Sequence, residues 1–220
     1  MSTAHTDRDH APLAPSAAHR WVECPGSLAM EGSSGGKSSS AANEGTAAHE
    51  LAAWALNMNR DPGDMLGRVI DITARNEATR FLVAGSPITD DTRWAVTDEM
   101  VDAVRAYVVH VTGLLDGGTS AYIEKRLHVT AVHEDCWGTA DAIVWQAGTR
   151  TLHVCDLKYG RGVEVDAESN WQLLAYASGA REAGHELWTI GLGEIDVVAP
   201  EQNASGTSNA LTLQRPLSVW

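Results

Sequence analysis

Three strand-like runs follow one another between residues 120 and 159, and they restrict the available folds more than any other feature of the chain. They are SAYIEKRLHV (120–129), GTADAIVWQ (138–146) and TLHVCDLKY (151–159), the last two joined by a turn around Gly148. Their apolar alternation and β-branched content predict a three-strand meander. Two helical patterns precede it. In NEGTAAHELAAWALNMN (43–59), Leu51, Trp54, Ala55 and Met58 recur at helical spacing. In TDEMVDAVRAYVVHVTGLL (97–115), Thr97 or Asp98 can cap a helix whose stripe is Val101, Val104, Val108, Val111 and Leu115, ended by the DGG at 116–118. A third helix is predicted from about Asp166 to Ala183, with Trp171, Leu174, Ala175 and Ala180 buried, and a fourth strand over 187–198. This order predicts an α/β fold of mixed α+β type, with a central mixed sheet of four to five strands flanked by helices.

The remaining segments are weakly patterned. Residues 1–15 should be a disordered tail, PSAAHRWVECPGSLAM a short helix interrupted at Pro25, and EGSSGGKSSS (31–40) a mobile loop. Short pieces and loops are expected over 60–96, and an irregular tail over 200–220 apart from a short strand at ALTLQ. No run approaches the roughly 18 apolar residues of a membrane span. The polar N-terminus lacks an apolar signal core, so a cytoplasmic protein is expected. Cys24, Cys136 and Cys155 have no CxxC spacing, which argues against a disulfide framework or a four-cysteine site. Cys24 reads as a small buried residue. The net charge of −13 opposes nucleic-acid binding, unless basic groups cluster and bound cations cancel part of the charge.

Chemistry enters with HVCDLKYGRGV (153–163). Side chains two apart on a strand share a face, so Asp156 and Lys158 should point into one place. A hairpin through Gly148 can bring Asp141 near Asp156 at one end of the sheet. Converging carboxylates repel, and oxygen ligands of this kind suit Mg²⁺ or Mn²⁺. A lysine beside them can orient a water or stabilise charge developing on a phosphate. The competing reading is a surface Asp–Lys pair worth little. Gln172 and Tyr176 stand four apart on one helical face, where they fit either a site or an ordinary amphipathic border.

The ordered set His49, Asp141, Asp156-x-Lys158 and Gln172-x-x-x-Tyr176 resembles the RecB-type branch of the PD-(D/E)XK nuclease superfamily. The stretches PSAAHRWVECPGS, EGTAAHELA, GTADAIV and LHVCDLKYGRGVEVDAESNWQLLAYASGA are similar to a phage- and prophage-associated group of RecB-like proteins, over about residues 12–190. The resemblance implies a restriction-endonuclease-like core. The domain would span 16–199, with a helical part (16–115) and a catalytic core (119–199). It implies Mg²⁺ or Mn²⁺ held by His49, Asp141, Asp156 and the Leu157 backbone carbonyl, with Lys158 as the catalytic lysine. Gln172 and Tyr176 would assist that lysine and contact DNA. The cysteines that hold an iron–sulfur cluster in some relatives are missing beyond Cys24, so no cluster is expected.

Arg20 and Arg161 are the DNA-facing candidates, and Lys125, Arg126, Arg150 and Arg181 are the other basic groups near the motifs. Glu124 and Glu164 flank the strands and are candidates for extra acidic groups near the metal. Trp21, Trp54 and Trp171 are expected in the core rather than stacked on bases. His128, His133 and His153 do not make a zinc spacing. The expected activity is a Mg²⁺-dependent DNA nuclease, an exonuclease on linear single- or double-stranded ends in phage recombination, replication or repair. A single-strand-annealing or other recombination protein is its expected partner. The alternatives are a non-catalytic DNA-binding or scaffold partner and a restriction-type endonuclease.

Overall fold

The computed structural model describes residues 11–31, 39–74, 76–115, 119–146, 151–160, 165, 169–184, 194–198 and 208–216. A 3₁₀ turn at Pro15–Ala17 leads into α1 (Ala18–Glu23) and α2 (Ser27–Glu31), separated by Pro25 as expected. Residues 11–15 are not a loose tail, because Ala11 and Pro15 are buried. Cys24 is exposed at the break between α1 and α2, which corrects its assignment to the core. The long helix α3 (Ser40–Met58) starts where the Ser39 side chain accepts the Ala42 N–H at 3.2 Å, and it closes on a left-handed Asn59. A cap of this kind stabilises a helix by about 1 kcal/mol.

The 60–96 segment is more ordered than its sequence suggests. Three very short strands, β1 (Val69–Asp71), β2 (Phe81–Leu82) and β3 (Arg93–Ala95), form an antiparallel sheet in the order β2-β1-β3, with α4 (Glu77–Arg80) before β2. Strands of two or three residues leave no alternation to read. Burial of Val69, Ile70 and Phe81 is what fixes them. Next comes α5 (Asp98–Gly113), capped by the Thr97 side chain on the Met100 N–H. Leu115 lies past its end and is exposed, not part of the buried stripe.

The meander forms as predicted from β4 (Thr119–His128), β5 (Trp137–Gln146) and β6 (Thr151–Tyr159), all antiparallel. The other edge of β6 is shared. β7 (Glu194–Val198) pairs parallel with residues 151–152, whereas β8 (Ser208–Pro216) pairs antiparallel with residues 154–159 and then continues along β7. β8 is longer than the strand expected at 210–214. The expectations for 1–10, 32–38, 116–118, 147–150, 161–164, 166–168, 187–193, 199–207 and 217–220 lie outside the described residues. The sixth helix, α6 (Trp171–Glu182), is capped by Asn170, whose Oδ1 accepts the Leu173 N–H at 3.1 Å. The whole is a mixed α/β arrangement of two sheets and their helices. Among the described residues no helix is long and apolar enough to cross a membrane.

Two apolar cores lie on opposite faces of the meander. Ala142, Val144, Cys155 and Leu157 join the core built on α3 and α5, which includes Leu51, Trp54, Val104 and Tyr107. Ala140, Ile143, Trp145, Leu152 and Val154 join the core under α6, with Leu173, Tyr176, Ala177 and Ala180. Trp171 is exposed at the start of α6, contrary to its expected burial. Simple alternation does not survive along β4 and β5. Ala121 and Ile123 side with α3, but Leu127 sides with α6; Ala142 sides with α3, but Ala140 with α6. Both switches fall at one place, where Glu124 adopts φ +50°.

His153 is buried in β6 with its Nε2 3.1 Å from Gln146 Oε1 and its Nδ1 without a hydrogen-bond partner. Burial, with His110 nearby, lowers its pKa to about 4. The unfolded chain therefore takes up the proton first, between about pH 6.5 and 4, and stability falls as pH falls through that window. Acidification from pH 7 to 5 should cost about 2 kcal/mol through this residue. Urea midpoints of wild type and His153→Gln at the two pH values measure it, and an equal acid loss in both proteins would rule it out.

Candidate functional site

The β5–β6 ladder ends at Ala142↔Cys155, one pair short of Asp141 and Asp156. Beyond that point β6 keeps only the β8 partner on its other edge, so the two aspartates stand at the fork where β5 and β6 part. Asp141 fills the place of the missing ladder bond: its Oδ2 accepts the Leu157 N–H at 2.6 Å. The same oxygen lies 3.2 Å from His49 Nδ1 on α3. Gly45, one turn earlier on α3, lies against the Tyr159 carbonyl, where an added Cβ would sit at 3.6 Å. At that distance the helix is in ordinary contact with the end of β6.

Asp156 points towards α6 and is only 2% exposed. Gln172 bridges it to the lysine, its Nε2 donating to Asp156 Oδ1 at 2.6 Å and its Oε1 accepting from Lys158 Nζ at 2.9 Å. Lys158 Nζ also lies 2.5 Å from Asp156 Oδ2, an ion pair in which that oxygen has no well-aligned hydrogen bond. Asp156 and Lys158 thus share a side, as two-residue strand spacing requires. The pair is not the exposed surface contact of the competing reading. Tyr176 is buried one turn after Gln172, and its hydroxyl overlies Gly138, where an added Cβ would approach it to 2.8 Å.

Electrostatics mark this as a strained cluster. Burial works against a charged His49, but the attraction and hydrogen bond of Asp141, with Asp156 and Glu124 adding, outweigh it and hold the imidazole at about 9. Burial, then the charge of Asp141, raises the Asp156 carboxyl, with Lys158 opposing. Glu124 keeps an exposed surface, yet the protein around its carboxylate and the neighbouring Asp141 push it up to about 7. Burial and the nearby carboxylates raise Tyr176, which stays a neutral phenol and a hydrogen-bond donor.

The structure thus brings together His49, Asp141, Asp156, Lys158, Gln172 and Tyr176 from α3, β5, β6 and α6. Ligand atoms of His49, Glu124 and Asp141 all lie within 4.8 Å of one another. Asp156 stands outside that trio, held by Gln172 and Lys158. Arg20 is exposed on α1, which packs against α6. Arg161, Arg150 and Glu164 lie outside the described residues. Two of the other basic candidates sit on aromatic rings: Lys125 is 5.3 Å from the centre of Tyr122, and Arg126 is 3.7 Å from that of Trp137. Arg181 is exposed near the end of α6.

Sequence reasoning missed the cleft of about 270 Å³ beside the site, lined by Glu50, Trp54, Asn57, Glu77, Arg80 and Glu124 among others. Arg80 ion-pairs with Glu50 there and donates to the Ala74 carbonyl. Glu50 follows the predicted His49 directly, which is the one signal that could have found it. A family model described as a protein of unknown function, DUF2800, matches residues 10–213. No solved structure matches the chain.

Proposed function

We propose a function for a family described as having none known: the chain belongs to DUF2800, and its site reads best as that of a divalent-metal-dependent deoxyribonuclease built on a restriction-endonuclease-like core. The observation that carries this reading is the Lys158–Gln172–Asp156 bridge set beside Asp141 at the strand fork, with His49 above it. A half-buried lysine fixed at two points against a buried carboxylate is poorly explained as a stability device, since taking such a carboxylate out of water seldom stabilises a fold.

The donor set suits a hard divalent cation. His49 and Asp141 offer an imidazole nitrogen and a carboxylate oxygen 3.2 Å apart, and Asp156, with the Leu157 carbonyl beside it, borders them. When bound there, Mg²⁺ or Mn²⁺ would polarise a phosphoryl oxygen and make a bound water more acidic. His49 must give up its proton to serve as a ligand. Lys158 stabilises charge that develops on the phosphate, and Gln172 fixes the direction of its ammonium. The Tyr176 hydroxyl, hydrogen-bonded with the Gln172 side chain, helps to hold that amide in place. The chain's net charge of −13 makes bound cations a requirement for holding DNA, and it favours the scaffold or DNA-binding role as the second reading.

End-labelled linear and circular DNA, single- and double-stranded, incubated with Mg²⁺, Mn²⁺ or EDTA, tests the proposal. Cleavage is expected with either metal and should stop in EDTA. Attack on linear ends alone would fit an exonuclease of phage recombination, replication or repair, working with a single-strand-annealing partner. Cutting of circles would move the reading to an endonuclease. Binding to DNA without cleavage under any metal would leave the non-catalytic role and sink the enzyme.

A further inference from the structure

We infer that Glu124 is a ligand of the divalent cation, completing a His49–Glu124–Asp141 set that the linear motifs do not reveal. The inference rests on the metal-dependent reading of the site and adds one residue of this chain to it.

Geometry is the first ground. Glu124 stands on β4 opposite Asp141 of β5, and one donor atom from each of Glu124, Asp141 and His49 falls within 4.8 Å of the others. Such spacing lets three donors share one ion at the roughly 2.0–2.6 Å of ligands around Mg²⁺ or Ca²⁺.

Charge is the second. Glu50, Glu124, Asp141 and Asp156 gather at this end of the sheet, and the fixed cations among them are Arg80 and Lys158. Arg80 is committed to Glu50 and the Ala74 carbonyl, and Lys158 to Asp156 and Gln172. The neighbouring Asp156, 2% exposed, has its Oδ2 2.5 Å from Lys158 Nζ without an aligned hydrogen bond. Among the described residues, and once His49 gives up its proton as a ligand must, these four carboxylates outnumber Arg80 and Lys158 by two, the charge of one divalent ion.

Backbone supports the same assignment. A glutamate at φ +50° inside a strand is a costly choice where glycine or asparagine would be easier. Its effect is to turn Glu124 onto the α3 side with Asp141, where an unbroken strand would have sent it to the opposite face.

Mn²⁺ titration of the full chain, followed by water-proton relaxation, tests this without reference to cleavage. Glu124→Gln keeps the backbone and volume while removing the charge, and it should weaken Mn²⁺ binding about tenfold or more. Glu77→Gln, from the same cleft but outside the trio, should stay within about twofold of wild type. Glu124→Asp should fall between them, and thermal midpoints identify any misfolded variant. If Glu124→Gln binds Mn²⁺ as wild type does, Glu124 is no ligand and the rest of the site reading stands. If wild type binds no Mn²⁺ at millimolar concentration, the cation site itself is refuted and Glu124 with it.

Discussion

Asp141→Asn should abolish metal-dependent DNA cleavage, lowering the rate by about a thousandfold or more, while leaving the protein folded. A single oxygen has two uses here. Asp141 Oδ2 accepts the Leu157 N–H at 2.6 Å and faces His49 Nδ1 at 3.2 Å. Asparagine retains a carbonyl oxygen for the Leu157 N–H, so the fork between β5 and β6 keeps its closing bond. What disappears is the charge, and with it both a cation ligand and the main attraction that keeps His49 protonated. Asp141→Ala separates the two roles. It should match the asparagine variant in activity but lose a further ~1–3 kcal/mol of stability, because the Leu157 N–H is left without an acceptor. End-labelled DNA assays and thermal melts on both variants make the comparison. Retention of about a tenth or more of wild-type cleavage by Asp141→Asn would contradict the proposed role.

Gly179→Ala should destabilise the fold by about 2 kcal/mol, against the usual gain from removing a glycine inside a helix. An alanine Cβ at this position would lie 2.8 Å from the His128 carbonyl oxygen and 3.2 Å from side-chain atoms of Leu127 and Val129. The first of these contacts is with backbone, so α6 must move away from the sheet. Ala177 and Ala180 beside it are fully buried, which shows how closely the helix rides on β4. The consequence reaches the site, because the same helix carries Gln172 and Tyr176. A lifted α6 lengthens the Gln172 bonds to Asp156 and Lys158, so cleavage should fall together with stability. Urea unfolding and cleavage rates on the one variant give both readings. A variant as stable as wild type would mean that α6 has room to absorb the methyl group.

These two residues also divide what could be read from the chain in advance. Asp141 was legible, because GTADAIV and DLKYG are strand-like runs close enough in sequence to pair as a hairpin. Gly179 gave no sign, since a glycine in a helical pattern says nothing of a carbonyl oxygen supplied by residue 128. The small β1–β3 sheet was hidden for a similar reason. Its strands are too short to carry a period, and only their packing on α3 and α5 makes them regular. Trp171 and Leu115 failed in the opposite direction: both fit an apolar stripe, but each stands at a helix end where the neighbouring element does not reach.

By itself the sequence determined the local order of elements, because apolar periodicity, a capping residue at Thr97 and strand propensity are properties of short stretches. It also determined that Asp156 and Lys158 share a side, since two-residue strand spacing leaves no choice. Tertiary structure decided which acidic groups meet. By plain alternation, Ala121, Ile123 and Leu127 belong to one face of β4. In the folded chain the first two pack under α3 and α5, and Leu127 under α6. The left-handed turn of Glu124 makes that exchange, and it sets Glu124 beside Asp141 and His49. No local preference would place a glutamate in that conformation. It is held there by packing on both faces of the sheet, a contribution that exists only once α3 and α6 have docked.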